Sequence, residues 1–406
     1  MSRMSAITAR GWHTIYRFYA YHVTAQMAFF GAVWILYLQH RGYSLAQIGL
    51  AEAAFHLAPI LLEIPSGSFA DLVGRRWSLV VSSSLVVGAN AFMWYGAYLP
   101  VVLLAMFLHG ASFSFRSGAD EAFLYDALSA DERSRYGRIF GRLLSAGYLI
   151  GGLSTWIGAT LSERSYTIPL TLAIVAAACG ILLAFGLEEP ARERSRPHGT
   201  SIRGHVRDVR DLLRTKPAVA MMLTIGALFW TMLTITDLYA QAVFADRGLS
   251  NGQIGLLLGS ISIAIAAGTA AGGQISGSFA RQWPVLTVLT GAGVVLIGLQ
   301  SALLAVVAYI AAQFVSGVIE TRLSAWYNAQ LPSAQRATVL SVGSWLFSCY
   351  MIVLFPLAGW FAGAAGWSAL YLVCGCVGAA TSLAVFVLRR HPETASDPAE
   401  MVEATA

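Results

Sequence analysis

The sequence predicts an all-α membrane protein of twelve transmembrane helices in two six-helix, pseudo-symmetric halves. Three observations carry that prediction: a composition too apolar for water, twelve apolar runs of spanning length, and a pattern that recurs at an offset of 206 residues. Of the 406 residues, 57% are hydrophobic and only 12% charged, against about 25% charged in a soluble domain. A helical span needs about 20 apolar residues. Long apolar runs, rather than alternating ten-residue segments, indicate helices and not a barrel.

The runs cover 15–39, 45–71, 76–98, 100–129, 136–160, 167–188, 218–245, 250–280, 284–303, 305–330, 336–362 and 367–388. The first is too long and too aromatic for the apolar core of a cleavable signal, so it is expected as a span. Cationic residues set the orientation. Most of the 26 lie at the N-terminus, in the loops carrying Arg75, Arg76, Arg133, Arg135, Arg281 and Arg336, in the central segment and at the C-terminus. Arg41, Arg164 and Arg247 alone occupy loops on the other side. Both termini are therefore expected in the cytoplasm, with the chain in the inner or plasma membrane of a bacterial cell. The four cysteines, Cys179, Cys349, Cys374 and Cys376, all sit inside apolar runs; neither a disulfide nor a metal cluster is expected of them.

The halves are expected at 1–188 and 218–390, joined by a linker at 189–217 and followed by a disordered tail at 391–406. In the linker, Ile202, Val206, Val209 and Leu213 recur with helical spacing, and Arg203, Arg207, Arg210 and Arg214 follow one residue later. That pattern predicts a basic amphipathic helix on the cytoplasmic leaflet.

The duplication is explicit. RGYSLAQIGL at 41–50 matches RGLSNGQIGL at 247–256 in seven of ten positions, and GSFA occurs at both 67 and 277. Repeats in parallel orientation account for both. The first GSFA runs on into DLVGRR; the second does not. GSFADLVGRR resembles the loop signature of the major facilitator superfamily, Gly-x-Leu-Ala-Asp-Arg-x-Gly-Arg-Arg/Lys, matching it at Gly67, Ala70, Asp71, Gly74, Arg75 and Arg76.

Read physically, Gly67 is expected to allow close helix approach and Gly74 a tight turn. Arg75 and Arg76 are expected to anchor the loop at the anionic leaflet, and Asp71 to face a helix N-terminus. The resemblance implies that this loop latches the cytoplasmic side, with an arginine paired to an acid at the end of the fourth helix, where Asp126 stands. Glu63, one turn before the signature, joins the gate. Arg281 replaces Asp71 in the second copy, so an asymmetric latch is expected. The helix-4 arginine of the family's drug antiporters is replaced by Met106, and their Gly-Pro-x-x-Gly-Gly in helix 5 reads GYLIGG here, with Tyr148 for proline.

Charge inside a span is costly, about 2.5–3.5 kcal/mol per ionised group on insertion scales, so its placement is informative. At helical periodicity, Tyr19, His22, Gln26, Phe30 and Tyr37 share a face of helix 1, and His109, Arg116 and Asp120 share one of helix 4. Trp230, Thr234, Asp237 and Gln241 share a face of helix 7, and Gln313, Gly317, Glu320, Ser324 and Tyr327 one of helix 10. The structural alternative to a functional Glu320 is a simple pairing with Arg322. These stripes predict that helices 1, 4, 7 and 10 line an aqueous cavity, while 3, 6, 9 and 12 face lipid. In helix 2, Glu52 and His56 at i, i+4 form a pair able to share a proton; no third ligand suggests a metal.

The function expected is secondary active transport by alternating access, with the proton gradient as energy source and no cofactor. Glu320, Asp237, Glu52 and His56 are the candidate proton carriers. The aromatic groups Tyr19, Phe30, Trp230 and Tyr327 suit a small amphiphilic or drug-like substrate moved outward. The alternative is uptake of a metabolite or organic anion held by Arg116. A non-transporting sensor would need a sizeable extramembrane domain. HExxH and a P-loop are absent from the sequence; no enzyme and no direct ATP drive are expected. The expected partners are the substrate, protons and the bilayer, with no nucleic acid, around a monomer.

Overall fold

A computed structural model describes residues 2–128, 132, 136–189, 214–299, 303–331 and 333–384, without the side chains of 2–13, 137, 138, 303, 304, 333–338 and 384. The amphipathic pattern at 202–213 and the tail at 391–406 lie outside the described residues, as do Arg133 and Arg135. Every regular element among the described residues is helical. In chain order they are α1 (Ser2–Ala25), α2 (Trp34–His40), α3 (Leu45–Leu72), α4 (Arg75–Tyr95), α5 (Leu99–Arg116), α6 (Ala119–Ala127) and α7 (Tyr136–Ser162). Next come α8 (Thr167–Phe185), α9 (Pro217–Asp246), α10 (Asn251–Gly272), α11 (Phe279–Leu299), α12 (Leu303–Gln330), α13 (Ser333–Ala365) and α14 (Trp367–Ala380), with a 3₁₀ turn at Thr381–Ala384. Among the described residues, nine stretches are long and apolar enough to cross a membrane, and Trp367–Leu383 is a shorter apolar helix.

Two expected spans are broken. The first stops at Ala25 and resumes at Trp34, with turns and irregular chain between. Nothing in the intervening QMAFFGAV forbids a helix; α7 dictates the break. Ala28 N–H donates to Ser154 Oγ at 2.9 Å, and Thr155 Oγ1 donates to the Ala28 carbonyl at 3.4 Å. Gly158 lets the Phe29 carbonyl approach so closely that a Cβ there has no room. Unwound backbone at membrane depth persists only where such partners satisfy it. The fourth span breaks between α5 and α6, where Gly118 takes φ 73°, a conformation side chains disfavour. The sequence-derived faces of helices 1 and 4 assumed continuous helices, so their residues do not follow one register. Two smaller corrections concern the second half: α10 ends at Gly272 rather than 280, and α11 begins at Phe279 rather than 284.

The chain forms two compact units. The first comprises Met1–Tyr43, Gln47–Pro197 and Gly248–Gly259; the second comprises Ser44–Ala46, His198–Arg247 and Ser260–Ala406. In the first, α4 packs on α5 and α8, and α1 on α8. Its core holds Phe18, Tyr21, Leu79, Phe123, Leu143 and Leu187, with Phe18 and Phe123 stacked at 5.1 Å. In the second, α11 packs on α12 and α14, and α9 on α13; Trp283, wholly buried, donates from Nε1 to the Thr381 carbonyl at 2.9 Å.

The sequence repeat has a structural cause in each unit. Arg41 Nη2 donates to the Tyr95 and Trp94 carbonyls at the C-terminal end of α4. Arg247 Nη2 donates to the Ile297 and Gly298 carbonyls at the end of α11. Such carbonyls have no partner within their own helix. The glycine after each arginine turns the chain at φ 86° and 83°. Ser250 and Gln253 then form a reciprocal cap, Ser250 N–H to Gln253 Oε1 at 2.9 Å and Gln253 N–H to Ser250 Oγ at 3.4 Å.

Candidate functional site

The loop between α3 and α4 is built from its glycine outward. Gly74 has φ 137°, and a Cβ on it would lie 3.0 Å from a Glu189 carboxylate oxygen. That carboxylate straddles the α4 N-terminus, accepting from Arg75 N–H at 2.8 Å and Arg76 N–H at 2.9 Å. The acid at the helix start is thus Glu189, beyond the sixth span, whereas Asp71 is exposed on the last turn of α3. The Arg75 guanidinium bonds the Asp126 carboxylate and the Ala122 carbonyl on α6. Arg76 Nη1 donates to the Leu187 carbonyl at 3.1 Å, and its guanidinium lies 5.1 Å from the Trp77 ring centroid. Both arginines therefore engage protein groups. Gly67 does not serve close packing: a Cβ there would meet nothing within 4 Å. Glu63 is exposed on α3.

The second unit fastens its corresponding loop differently. Arg322 on α12 donates to Gln282 Oε1 at 2.8 Å, to the Ile275 carbonyl at 2.7 Å and to the Gly277 carbonyl. The simple pairing with Glu320 is overturned: Arg322 turns to the loop, and Glu320 is exposed.

Among the polar residues of the first unit, His22 is buried and its Nε2 lies 3.3 Å from Gln26 Nε2. His22 Nδ1 faces Asp120 Oδ2 at 4.0 Å. Arg116 Nη1 donates to the Ala25 carbonyl at 3.0 Å, closing the end of α1. Tyr19 OH donates to the Ile139 carbonyl at 3.1 Å, and buried Phe30 packs edge-on against Tyr37. His109 is exposed on α5. Glu52 and His56 are both buried, with Oε1 and Nε2 3.4 Å apart.

In the second unit Asp237, in the C-terminal half of the 30-residue α9, accepts from Tyr309 OH and Gln313 Nε2 of α12. Tyr309 escaped the sequence reading because it lies one turn before the stripe identified on that helix. Gln313 is fully buried and also receives Ser316 Oγ on its Oε1 at 3.3 Å. Gln241 and Tyr327 are buried, Trp230 and Thr234 half-buried, and Ser324 exposed. The structure thus brings Asp237 and Gln313 together, and leaves Glu320 and Ser324 away from that cluster's buried environment.

Helices with buried acids, internal repeats and a loop tied by the GRR arginines find their counterpart in one family. Its model, described as Major Facilitator Superfamily, matches residues 19–245 and 239–405. This chain belongs to the Major Facilitator Superfamily. It is a multi-pass membrane transporter and not an enzyme. It is 24% identical over 234 residues to an uncharacterised MFS-type transporter of Bacillus subtilis, YxaM, a match covering 57% of this chain and 58% of that one. It is 21% identical over 168 residues to probable polyol transporter 3 of Arabidopsis thaliana, over 41% of this chain and 32% of the relative. These matches thus span about half and a third of the two relatives' lengths. Among solved structures, a point mutant of the nucleoside transporter NupG superposes with TM-score 0.78 at 11% identity, over 92% of this chain and 99% of that one. A bacterial homologue of the human lysosomal transporter Spinster, inward-facing and unoccupied, gives 0.71 at 17% identity, over 96% and 99%. At such identities these superpositions speak for the superfamily's fold alone.

Proposed function

We propose that this transporter is a proton-coupled secondary transporter that exports small amphiphilic or drug-like molecules by alternating access. The observation that supports proton coupling is Asp237. It lies within the apolar span, receives two neutral donors, and among the described residues has no cationic partner within 4.0 Å. An unneutralised carboxylate at that depth is costly, and protonation removes the cost. The protonated acid can donate to the Tyr309 oxygen, since a phenol accepts as well as donates. Proton exchange therefore reverses this hydrogen bond and turns the Tyr309 hydroxyl hydrogen to another acceptor. Glu52 with His56, and Glu320, are the other proton carriers in this reading. The aromatic surfaces of Trp230, Tyr327, Tyr19 and Phe30 suit an adaptable apolar cargo.

The test uses everted membrane vesicles holding an imposed pH gradient. Amphiphilic dyes such as ethidium, added one at a time, should dissipate the gradient in vesicles with the wild-type protein and fail to do so with Asp237→Asn. Gradient-driven uptake of an organic anion into right-side-out vesicles would reverse the direction and make Arg116 the anion holder. Coupling that survives in Asp237→Asn and vanishes in Glu52→Gln would move the proton to α3.

A further inference from the structure

The first unit contains a titratable pair, buried at His22 and half-buried at Asp120, to which the proposed function gives no task. His22 lies on the last turn of α1, just before the unwound stretch 26–33, and Asp120 on the first turn of α6, just after the break at Gly118. We propose that His22 and Asp120 form a proton-binding dyad whose occupancy sets the conformation of the unwound stretch of the first span.

The geometry gives the two states. Gln26 Nε2, an amide donor, faces His22 Nε2 at 3.3 Å, which requires that nitrogen to be unprotonated. The neutral ring then carries its proton on Nδ1, directed at Asp120 Oδ2 at 4.0 Å. A proton that reaches the ring must bind Nε2. Two donors then confront each other, and the Gln26 amide has to turn its oxygen to the ring or leave. The imidazolium meanwhile gains a full charge opposite the Asp120 carboxylate and draws toward it. Gln26 is the first residue past α1, so the signal is delivered where the helix ends. Release of the proton restores the present arrangement.

Space around the pair is controlled by glycine: a Cβ at Gly147 would lie 3.0 Å from Gln26 Cγ and 3.2 Å from His22 Nε2. Gly147 of the GYLIGG segment thus lets the histidine and glutamine approach α7 closely. The other ionisable groups acting here are Tyr19 and Tyr21 on α1, His109 and Arg116 on α5, Glu121 on α6, and Tyr136 and Arg142 on α7. Arg116 is the nearest fixed positive charge, and its bond to the Ala25 carbonyl ties the end of α1 to that of α5. From α4 come only the hydroxyls of Ser82 and Ser83 beside Tyr21, and α8 has no Asp, Glu, His, Lys or Arg.

The physiological use of this dyad rests on the proposed proton coupling, but its operation is measurable without transport. The exposed Ala28 is replaced by cysteine in a full-length chain lacking its four native cysteines, labelled with a trifluoromethyl probe, and followed by fluorine NMR in nanodiscs without substrate. Two resonances are expected whose ratio changes by about tenfold between about pH 7 and about pH 3.5. His22→Gln and Asp120→Asn, the latter isosteric, should each abolish the change, whereas Asp237→Asn should keep it. A ratio independent of pH in the otherwise wild-type chain would overturn the proposal, as would a change that survives in either dyad variant. Loss of vesicle coupling in Asp237→Asn with an intact fluorine response would support both readings; the fluorine response alone would leave the dyad standing while the carrier reading fell.

Discussion

Replacing Glu189 by alanine removes both acceptors from the start of α4, where Arg75 and Arg76 N–H are bonded at 2.8 and 2.9 Å. Loss of a helix N-cap costs about 1 kcal/mol, within a range of roughly 0.5–2. Loss of a negative charge beside the helix dipole adds about 0.3–1 kcal/mol. Glu189 is exposed, so water compensates part of this and the expected cost is about 1–2 kcal/mol. Glu189→Gln retains one acceptor oxygen and no charge, and should cost about half as much. Amide hydrogen exchange of the purified transporter reads the effect locally: Arg75 and Arg76 should exchange about tenfold faster in Glu189→Ala, the equivalent of about 1.4 kcal/mol. Glu188→Ala, one residue away and also exposed, serves as the control. If Glu189→Ala matched that control at both amides, the carboxylate would not be what satisfies the α4 N-terminus, and the account of the loop given above would fail.

Other substitutions test other contacts. Asp126→Asn leaves the half-buried Arg75 without its counter-charge and should cost about 1–3 kcal/mol in thermal unfolding, with the Ala122 carbonyl still bonded. Arg322→Ala strips the donor from Gln282, Ile275 and Gly277 together; about 2–3 kcal/mol is expected, with raised proteolysis at 273–278. Gly158→Ala has no space against the Phe29 carbonyl and should cost about 3 kcal/mol or more, read as loss of monodisperse protein. Glu163, in the loop after α7, accepts from Gly252 N–H at 2.8 Å. That backbone bond first, and the Ser250 hydroxyl second, hold its carboxyl below the ordinary value of 4.5. A lowered folded value means the stabilisation is complete above the unfolded value and is lost as pH falls through the folded one. The melting difference between wild type and Glu163→Gln should therefore be constant above about pH 5 and shrink below pH 4.5. Because the group is exposed, the difference amounts to tenths of a kcal/mol.

Much of the fold was legible because it is written in patterns that do not depend on distant contacts. Apolar runs set the spans. The Arg-Gly-x-Ser-x-x-Gln repeat encodes a helix end, a left-handed turn and a reciprocal cap, all within a few residues. The breaks are a different matter. At 26–33 the chain is as apolar as a helix, and the cause of its unwinding lies in Ser154, Thr155 and Gly158, more than a hundred residues away; hydropathy has no means of registering that. At 117–118 a signal was present, since Ser-Gly followed by two acids within three residues is a common helix restart, but the surrounding apolar run masked it. Glu189 was hidden for a third reason. It is one of several acids in a polar linker, and only the return of the sixth span to the α4 start distinguishes it from Glu188.

The two loops that share GSFA change meaning once their partners are known. The sequence, with DLVGRR in one copy alone, suggests that only the first loop is fastened. Each unit in fact ties this loop to its fourth span through one arginine, but from opposite ends. Arg75 reaches from the start of α4 to Asp126 and the Ala122 carbonyl on α6. Arg322 reaches from α12 back to two loop carbonyls and Gln282. Only the first arrangement is an ion pair, and its side chains are 20% and 23% exposed. Dissolved salt screens such a pair, with a Debye length of about 8 Å at physiological ionic strength, whereas hydrogen bonds to carbonyls carry no net counter-charge to screen. The first loop, with Glu189 from the start of the linker also bonded to it, is therefore the one whose grip depends on charge. The bonds from Arg322 to Gln282, Ile275 and Gly277 are made to neutral acceptors. The asymmetry between the copies lies in the kind of force that closes each loop and not in whether it is closed.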